Sequence, residues 1–318
     1  MLSRVADNIY WMHRYIERAE NYARFMDVNY NLSLELPPEL ANQWKPLVVT
    51  TGDWKLYEEL YGKQADKNKA IYFLGLDRNN PNSIFNCLRA ARENARAVRP
   101  EITKEVWEQI NHVYYFVKES EQKKRKQIAA PREFFTQIKK ECQTLYGIFY
   151  ATISRNDGWY FGKIGQMLER ADKTSRVLDV KYHILLPTAE DVGSPIDLLQ
   201  WSSLLKSVSA YDMYRRKSGK LTPGGISEFL IFDKAFPRSI LHCLIQAEKA
   251  LHIITGNPEG HSNAAEKHLG GLRYQLDFAD IEDVFEKGLH EYMDEIQTKL
   301  NQVSEAIFKT FFSIDRVK

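Results

Sequence analysis

Two adjacent pairs of opposite charge, Glu17-Arg18 and Glu169-Arg170, lie in the middle of otherwise apolar helical patterns. An arginine can hold a carboxylate or phosphate through two parallel N–H bonds, and a neighbouring glutamate can accept or relay a proton. These four residues form the candidate catalytic set. Burial supplies a competing, structural reading. Losing one member of a buried ion pair costs ~3–5 kcal/mol, so charges inside an apolar stripe must find partners. The expectation is a reciprocal network with Glu17 near Arg170 or Arg176, and Glu169 near Arg18 or Arg24. Such a network either locks two segments together or floors a polar cavity.

Helical spacing adds candidate ligand- or partner-binding residues. At about 100° per residue, Glu17, Asn21 and Arg24 share a face, as do Glu169, Lys173 and Arg176. Arg14 lies one turn before Glu17, and the spacing allows Arg24 to pair with Asp27 and Arg176 with Asp179. A second group is the stripe Arg89, Arg92, Arg96 and Arg99, with Glu93 and Asn94 beside it. It is a solvated face, a site for an anion or acidic partner, or an RNA contact.

Other constellations are weaker. Glu286, His290 and Asp294 recur every four residues, as do Asp179 and His183, which suits metal ligands but also ordinary solvated helices. No metal or cofactor is expected. His261 and His268 read as surface residues, and no Ser/His/Asp or Cys/His triad can be assembled from spacing. Gly162-Lys163-Ile164-Gly165 and Pro223-Gly224-Gly225 lack the strand–loop–helix setting of a phosphate loop. The first admits close helix packing; the second reads as a turn before a helix.

The elements that must position these residues are helices. From a Ser3 N-cap, Val5, Ile9, Met12, Ile16, Ala19, Ala23, Met26 and Tyr30 recur at spacings of three and four until Leu36-Pro37-Pro38. Further helical segments are 53–61, 81–98, 101–119, 131–151, 160–185, 194–216, 237–255, 262–277 and 280–312, with Pro187 among the punctuation. No convincing set of strands emerges. Ala70–Leu76 reads equally as extended or helical. The run Lys123–Lys126 has no interleaved aromatics and reads as a solvated loop rather than a nucleic-acid patch.

Over 318 residues, 44% hydrophobic content can bury a sizeable core, and a net charge of +2 gives no global pull toward nucleic acid or anionic membrane. No run approaches a membrane span. Cys87, Cys142 and Cys243 are widely spaced and odd in number, against a disulfide framework; with no signal segment at the N-terminus, the expected location is cytoplasmic.

The chain also repeats itself. At an offset of 152, positions 17–30 and 169–182 share seven identities in fourteen, and "FLGLDRNNPNSIFNCL" (73–88) matches "FLIFDKAFPRSILHCL" (229–244). That pairs Asp77 with Asp233, Ser83 with Ser239 and Cys87 with Cys243. The expected fold is all-α, an internally duplicated helical bundle with halves 1–152 and 153–318 related by a pseudo-twofold axis within one compact unit. The serines read as capping residues and the paired cysteines as small core residues. The arginine stripe breaks the repeat, because Arg89, Arg92 and Arg96 correspond to Ile245, Glu248 and His252.

"MLSRVADNIYWMHRYIERAENYARFMDV" (1–28), "RAARENARAVRPEI" (89–102) and "GWYFGKIGQMLERADKTSRVLDVKY" (158–182) together resemble the bacterial alpha-E domain, an all-helical domain with a Glu-Arg motif. The resemblance implies an association with circularly permuted ATP-grasp proteins, transglutaminase-like proteins and Ntn-hydrolase peptidases in bacterial peptide synthesis or modification. The family's arginine three residues before the Glu-Arg pair is Arg14 in the first half but Gln166 in the second. The expected function is an auxiliary component that docks an ATP-grasp-type ligase or presents its substrate. An enzyme using the Glu-Arg cluster on an amino-acid, peptide or phosphorylated substrate is the alternative, and RNA or aminoacyl-tRNA binding a third. A small anionic ligand or peptide fits either of the first two; a membrane is not expected, and nucleic acid is disfavoured.

Overall fold

In a computed structural model, the chain is described over residues 1–36, 44–122, 128, 130–183, 193–258 and 262–313. Pro37, Pro38, the basic run Lys123–Lys126, Pro187 and His261 lie outside the described residues. In chain order the helices are α1 (Ser3–Glu35), α2 (Trp44–Thr51), α3 (Trp54–Tyr61), α4 (Lys67–Gly75), α5 (Ile84–Ala97), α6 (Lys104–Gln122), α7 (Pro131–Thr152) and α8 (Asp157–His183). They continue as α9 (Pro195–Ser207), α10 (Tyr211–Ser218), α11 (Pro223–Phe232), α12 (Ile240–Thr255), α13 (Ala264–Phe278), α14 (Ile281–Lys287) and α15 (Leu289–Ile307). The described residues contain no strand, so the fold is all-α. None of these helices is long and apolar enough to cross a membrane.

The two long helices α1 and α8 pack against each other at the centre, with α5 and α7 flanking α1 and with α12 and α15 flanking α8. This enclosure explains the sequence of α1. From Ala19 to Asp27 every residue is buried, charged ones included, because neighbours surround that stretch instead of leaving one face to water. Gly162 and Gly165 permit the close approach. A Cβ at Gly162 would stand 2.7 Å from the His13 ring, and one at Gly165 would collide with the Tyr10 carbonyl oxygen.

Local chemistry sets several helix starts. Ser83 and Ser239 accept from the backbone N–H of Asn86 and His242, capping α5 and α12. Asp66, Ser194, Thr222 and Asn263 cap α4, α9, α11 and α13 in the same way. Ser3 is different: the chain is already helical there, extended Leu2 precedes it, and no side chain caps α1. The structure also divides the expected segment 194–216. Val208–Ala210 separates α9 from α10, with Ser209 at φ 52°, an interruption that carries no glycine or proline. Gly288, at φ 96°, separates α14 from α15 within 280–312. Helix α2 was not among the sequence expectations, and Ala70–Gly75 is helical within α4.

All three cysteines are buried and free. Burial pushes the Cys87 and Cys243 thiols up to about 12, which keeps them protonated and unreactive at neutral pH.

Candidate functional site

At the crossing of α1 and α8 each helix presents one Glu-Arg pair to the other. Arg18 Nε lies 2.6 Å from Glu169 Oε1 and Arg18 Nη2 3.0 Å from Oε2. Arg170 Nε and Nη2 lie 2.8 Å from the two oxygens of Glu17. Both contacts are bidentate, the arrangement in which a guanidinium binds a carboxylate best. Glu17 and Glu169 are each 0% exposed, whereas the Arg18 and Arg170 side chains keep 15% and 12%.

Further cations close around each carboxylate. Arg14 Nε donates to Glu169 Oε2 at 2.8 Å, and its Nη1 donates to Tyr10 OH and Ser304 Oγ. Lys173 Nζ is 3.4 Å from Glu169 and 2.8 Å from Asp172. On the other acid, Arg238 Nη1 lies 3.2 Å from Glu17 and its Nη2 2.7 Å from Glu20. Burial alone would raise the Glu17 pKa, but Arg170 and then Arg238 hold it well below the usual carboxylate range. Glu169 is likewise held down against its burial by Arg18, Lys173 and Arg14. Among the described residues, seven cationic side chains thus meet four carboxylates, leaving the seam electropositive.

Other expected contacts are replaced. Arg24 turns back to Glu20 (2.5 Å) and also donates to Ser209, so it does not pair with Asp27. Asp27 instead pairs with Lys139 on α7. Arg176 bonds Asp172 at 3.0 Å and the Thr50 carbonyl oxygen at 3.0 Å, while Asp179 bonds His290 at 2.5 Å. At i−4, Glu20 and Asp172 lie on the same face as Arg24 and Arg176, closer in azimuth than the i+3 acids. Arg238 had no helical pattern to reveal it. Its only sequence signal is a charged residue immediately before a capping serine. Asn82, immediately before the capping Ser83, accepts from Arg18 at 2.7 Å.

The second candidate group stays at the surface, but it is less bare than its spacing implies. Arg92 donates to Asn111 (2.7 Å) and Glu93 (3.1 Å) and sits over the rings of Trp107, Tyr114 and Tyr115 on α6. Glu93 also pairs with Arg96, and Arg99 donates to the Ile102 carbonyl oxygen beside Trp107. The acid that relieves the repulsion within the stripe therefore belongs to the same helix. Arg89 is exposed, as is Arg96, whose side chain is 69% accessible; Asn94 lies half-buried between them. The result is a cationic face interleaved with aromatic rings.

Asp179 and His183 of α8 converge with His290 of α15, their ligand-capable atoms within 4.8 Å of one another. The Asp179 hydrogen bond raises the His290 pKa, so the arrangement as it stands is an acid–imidazole pair. His268 is exposed on α13.

Comparison with known proteins follows the same pattern. The family model Alpha-E, described as a predicted alpha-helical domain with a conserved ER motif, matches residues 1–312. Uncharacterized proteins of Mycobacterium bovis and Mycobacterium tuberculosis are 23% identical over 333 residues, covering 96% of this chain and 36% of their own length. The chain thus spans about a third of the length of these curated relatives. No solved structure matches.

Proposed function

We propose, from the premise that the chain belongs to the Alpha-E family, that it is a non-catalytic component of a bacterial peptide synthesis or modification system. In this reading it docks a circularly permuted ATP-grasp ligase, or presents that enzyme's substrate, in the cytoplasm. A transglutaminase-like protein is a second partner of the same kind. Residues 1–152 and 153–318 are read as two copies of one ancestral unit, fused to make a rigid platform.

One observation carries the preference for docking over catalysis: both motif glutamates are fully buried and saturated by guanidinium groups. A general base needs a lone pair free to reach a substrate proton and a pKa near the working pH. Glu17 and Glu169 have neither, since their acceptor positions are filled and their pKa values are depressed. The α5–α6 face has the opposite character. Arg92 and Arg99 are held over aromatic rings and Arg89 and Arg96 are exposed beside them, a cationic surface that suits an acidic protein partner. In the mycobacterial relatives the matching stretch is one part of a longer chain, which fits a module that works beside other domains. The enzyme alternative would require the seam to open, and an RNA-binding role would also have to use the α5–α6 face.

The test is co-purification with an ATP-grasp protein from the native host, comparing wild type with the double variant Arg89→Glu plus Arg96→Glu. These two residues are exposed, so the fold should persist, whereas Arg92 is retained because it ties α5 to α6. Loss of the partner in the variant is expected. Equal recovery of the partner by both proteins would overturn the assignment of the face. Recovery of nucleic acid in place of protein would favour the RNA reading.

A further inference from the structure

A cavity of about 290 Å³, roughly ten water volumes, lies between α1, α7 and α8, lined by His13, Tyr146, Phe149, Trp159, Lys163, Gln166 and Arg170 among others. The sequence repeat pairs Arg14 with Gln166. Arg14 fills the seam beside α15 by bonding Glu169, Tyr10 and Ser304. The corresponding residue beside α7 is Gln166, which is shorter and reaches only Glu17 Oε2, at 3.5 Å. The cavity opens beside Gln166, which is one of its lining residues.

The walls are chemically specific. His13 is 3% exposed, and neither ring nitrogen has a hydrogen-bond partner. Burial lowers its pKa to about 3, so it faces the cavity as a neutral imidazole. The Tyr146 hydroxyl and the Trp159 indole N–H are also buried without partners. An unmet buried polar group costs about 1–3 kcal/mol, and three around one cavity mark a place built for something that satisfies them. Lys163 forms no hydrogen bond or ion pair with any described residue. Arg170 adds a second cation, while the carboxylate it grips, Glu17, is fully buried behind it. Arg155 lies over the rings of Tyr150 and Trp159 at the rim, 4.4 and 4.3 Å from their centres.

We propose that this cavity binds a small carboxylate with an aromatic body, its carboxylate on Lys163 and Arg170 and its ring against Tyr146, Phe149 and Trp159. Donors outnumber acceptors in the lining, no acidic side chain faces the space, and aromatic rings form the remaining wall. This goes beyond the docking role and does not depend on it, because no α5 or α6 residue lines the cavity.

The experiment is isothermal calorimetry with phenylacetate, alongside phenethylamine and inorganic phosphate as probes of opposite charge and of an anion without a ring. Phenylacetate should bind, and the other two should bind weakly or not at all. Lys163→Met should weaken phenylacetate by about tenfold or more, the effect of one charge-assisted hydrogen bond, with the melting temperature unchanged. Gln166→Arg should restore the missing guanidinium, fill the space and abolish binding. The Trp159 indole N–H resonance, assigned through Trp159→Phe, should shift on phenylacetate addition in wild type only. Absence of phenylacetate binding, equal binding of phenethylamine or phosphate, or unchanged affinity in Lys163→Met would each overturn the proposal.

Discussion

Arg18 on α1 lays one planar guanidinium across both oxygens of Glu169 on α8, Nε at 2.6 Å and Nη2 at 3.0 Å. A fork of this kind constrains direction as well as distance, so it sets the rotation and sliding of two helices at once. Arg170 and Glu17 repeat the contact in reverse, giving the crossing two opposed clamps. An arginine can be replaced in neither clamp by a lysine, a point charge, without losing that orientation.

Removing one carboxylate should be costly. Glu169→Gln leaves Arg14, Arg18 and Lys173 facing a neutral amide in a buried seam. The expected loss is about 3–5 kcal/mol, read from urea denaturation. The double variant Arg18→Met plus Glu169→Met should lose less than the sum of its single changes, because neither charge is then stranded. Strict additivity would show that the clamp is not an energetic unit.

Acid should act through the same groups. The folded-state pKa of Glu169 lies below its ordinary value of 4.5, and that of Asp172 below 3.8. For depressed carboxylates, the added stability is fully present above the unfolded pKa and is lost as pH falls toward the folded one. The melting temperature should therefore decline from about pH 4.5 downward. Glu169→Gln should show a shallower decline over that range, and an identical slope in variant and wild type would count against this account.

The helix crossing should tolerate no side chain at Gly165. A Cβ there meets the Tyr10 backbone, which cannot rotate away. Gly165→Ala should cost about 1–3 kcal/mol. Gly271 in α13 is the control: its Cβ would meet nothing, so Gly271→Ala should stabilise by about 0.5–1 kcal/mol through helix propensity. Calorimetric melting of both variants checks the contrast, and similar shifts of one sign would refute it.

Ser83→Ala and Ser239→Ala each remove an N-cap, an expected loss of ~1 kcal/mol. Ser239 should be the more sensitive, since its hydroxyl also donates to the Asp233 carbonyl oxygen. If denaturant midpoints leave Ser239→Ala equal to or milder than Ser83→Ala, that second bond contributes nothing.

The all-α fold was legible in the chain because apolar residues recurring every three or four positions, with few breakers, leave no other way to bury them. The long helices α1 and α8, and the need for Glu17 and Glu169 to meet opposite charge, follow from the same pattern. Helical periodicity fixes the azimuth of a side chain about its own axis and says nothing of which distant residue stands opposite. The tertiary structure alone decided that Arg18 and Arg170 take the clamps while Arg24 and Arg176 turn to acids on their own helices. It alone brought Arg238 from a loop onto Glu17 and Glu20, and placed Trp107, Tyr114 and Tyr115 beneath Arg92. The departure at Gln166 was visible as a letter. That a cavity lined by unmet polar groups lies beside it depends on how α1, α7 and α8 pack, which no one segment encodes.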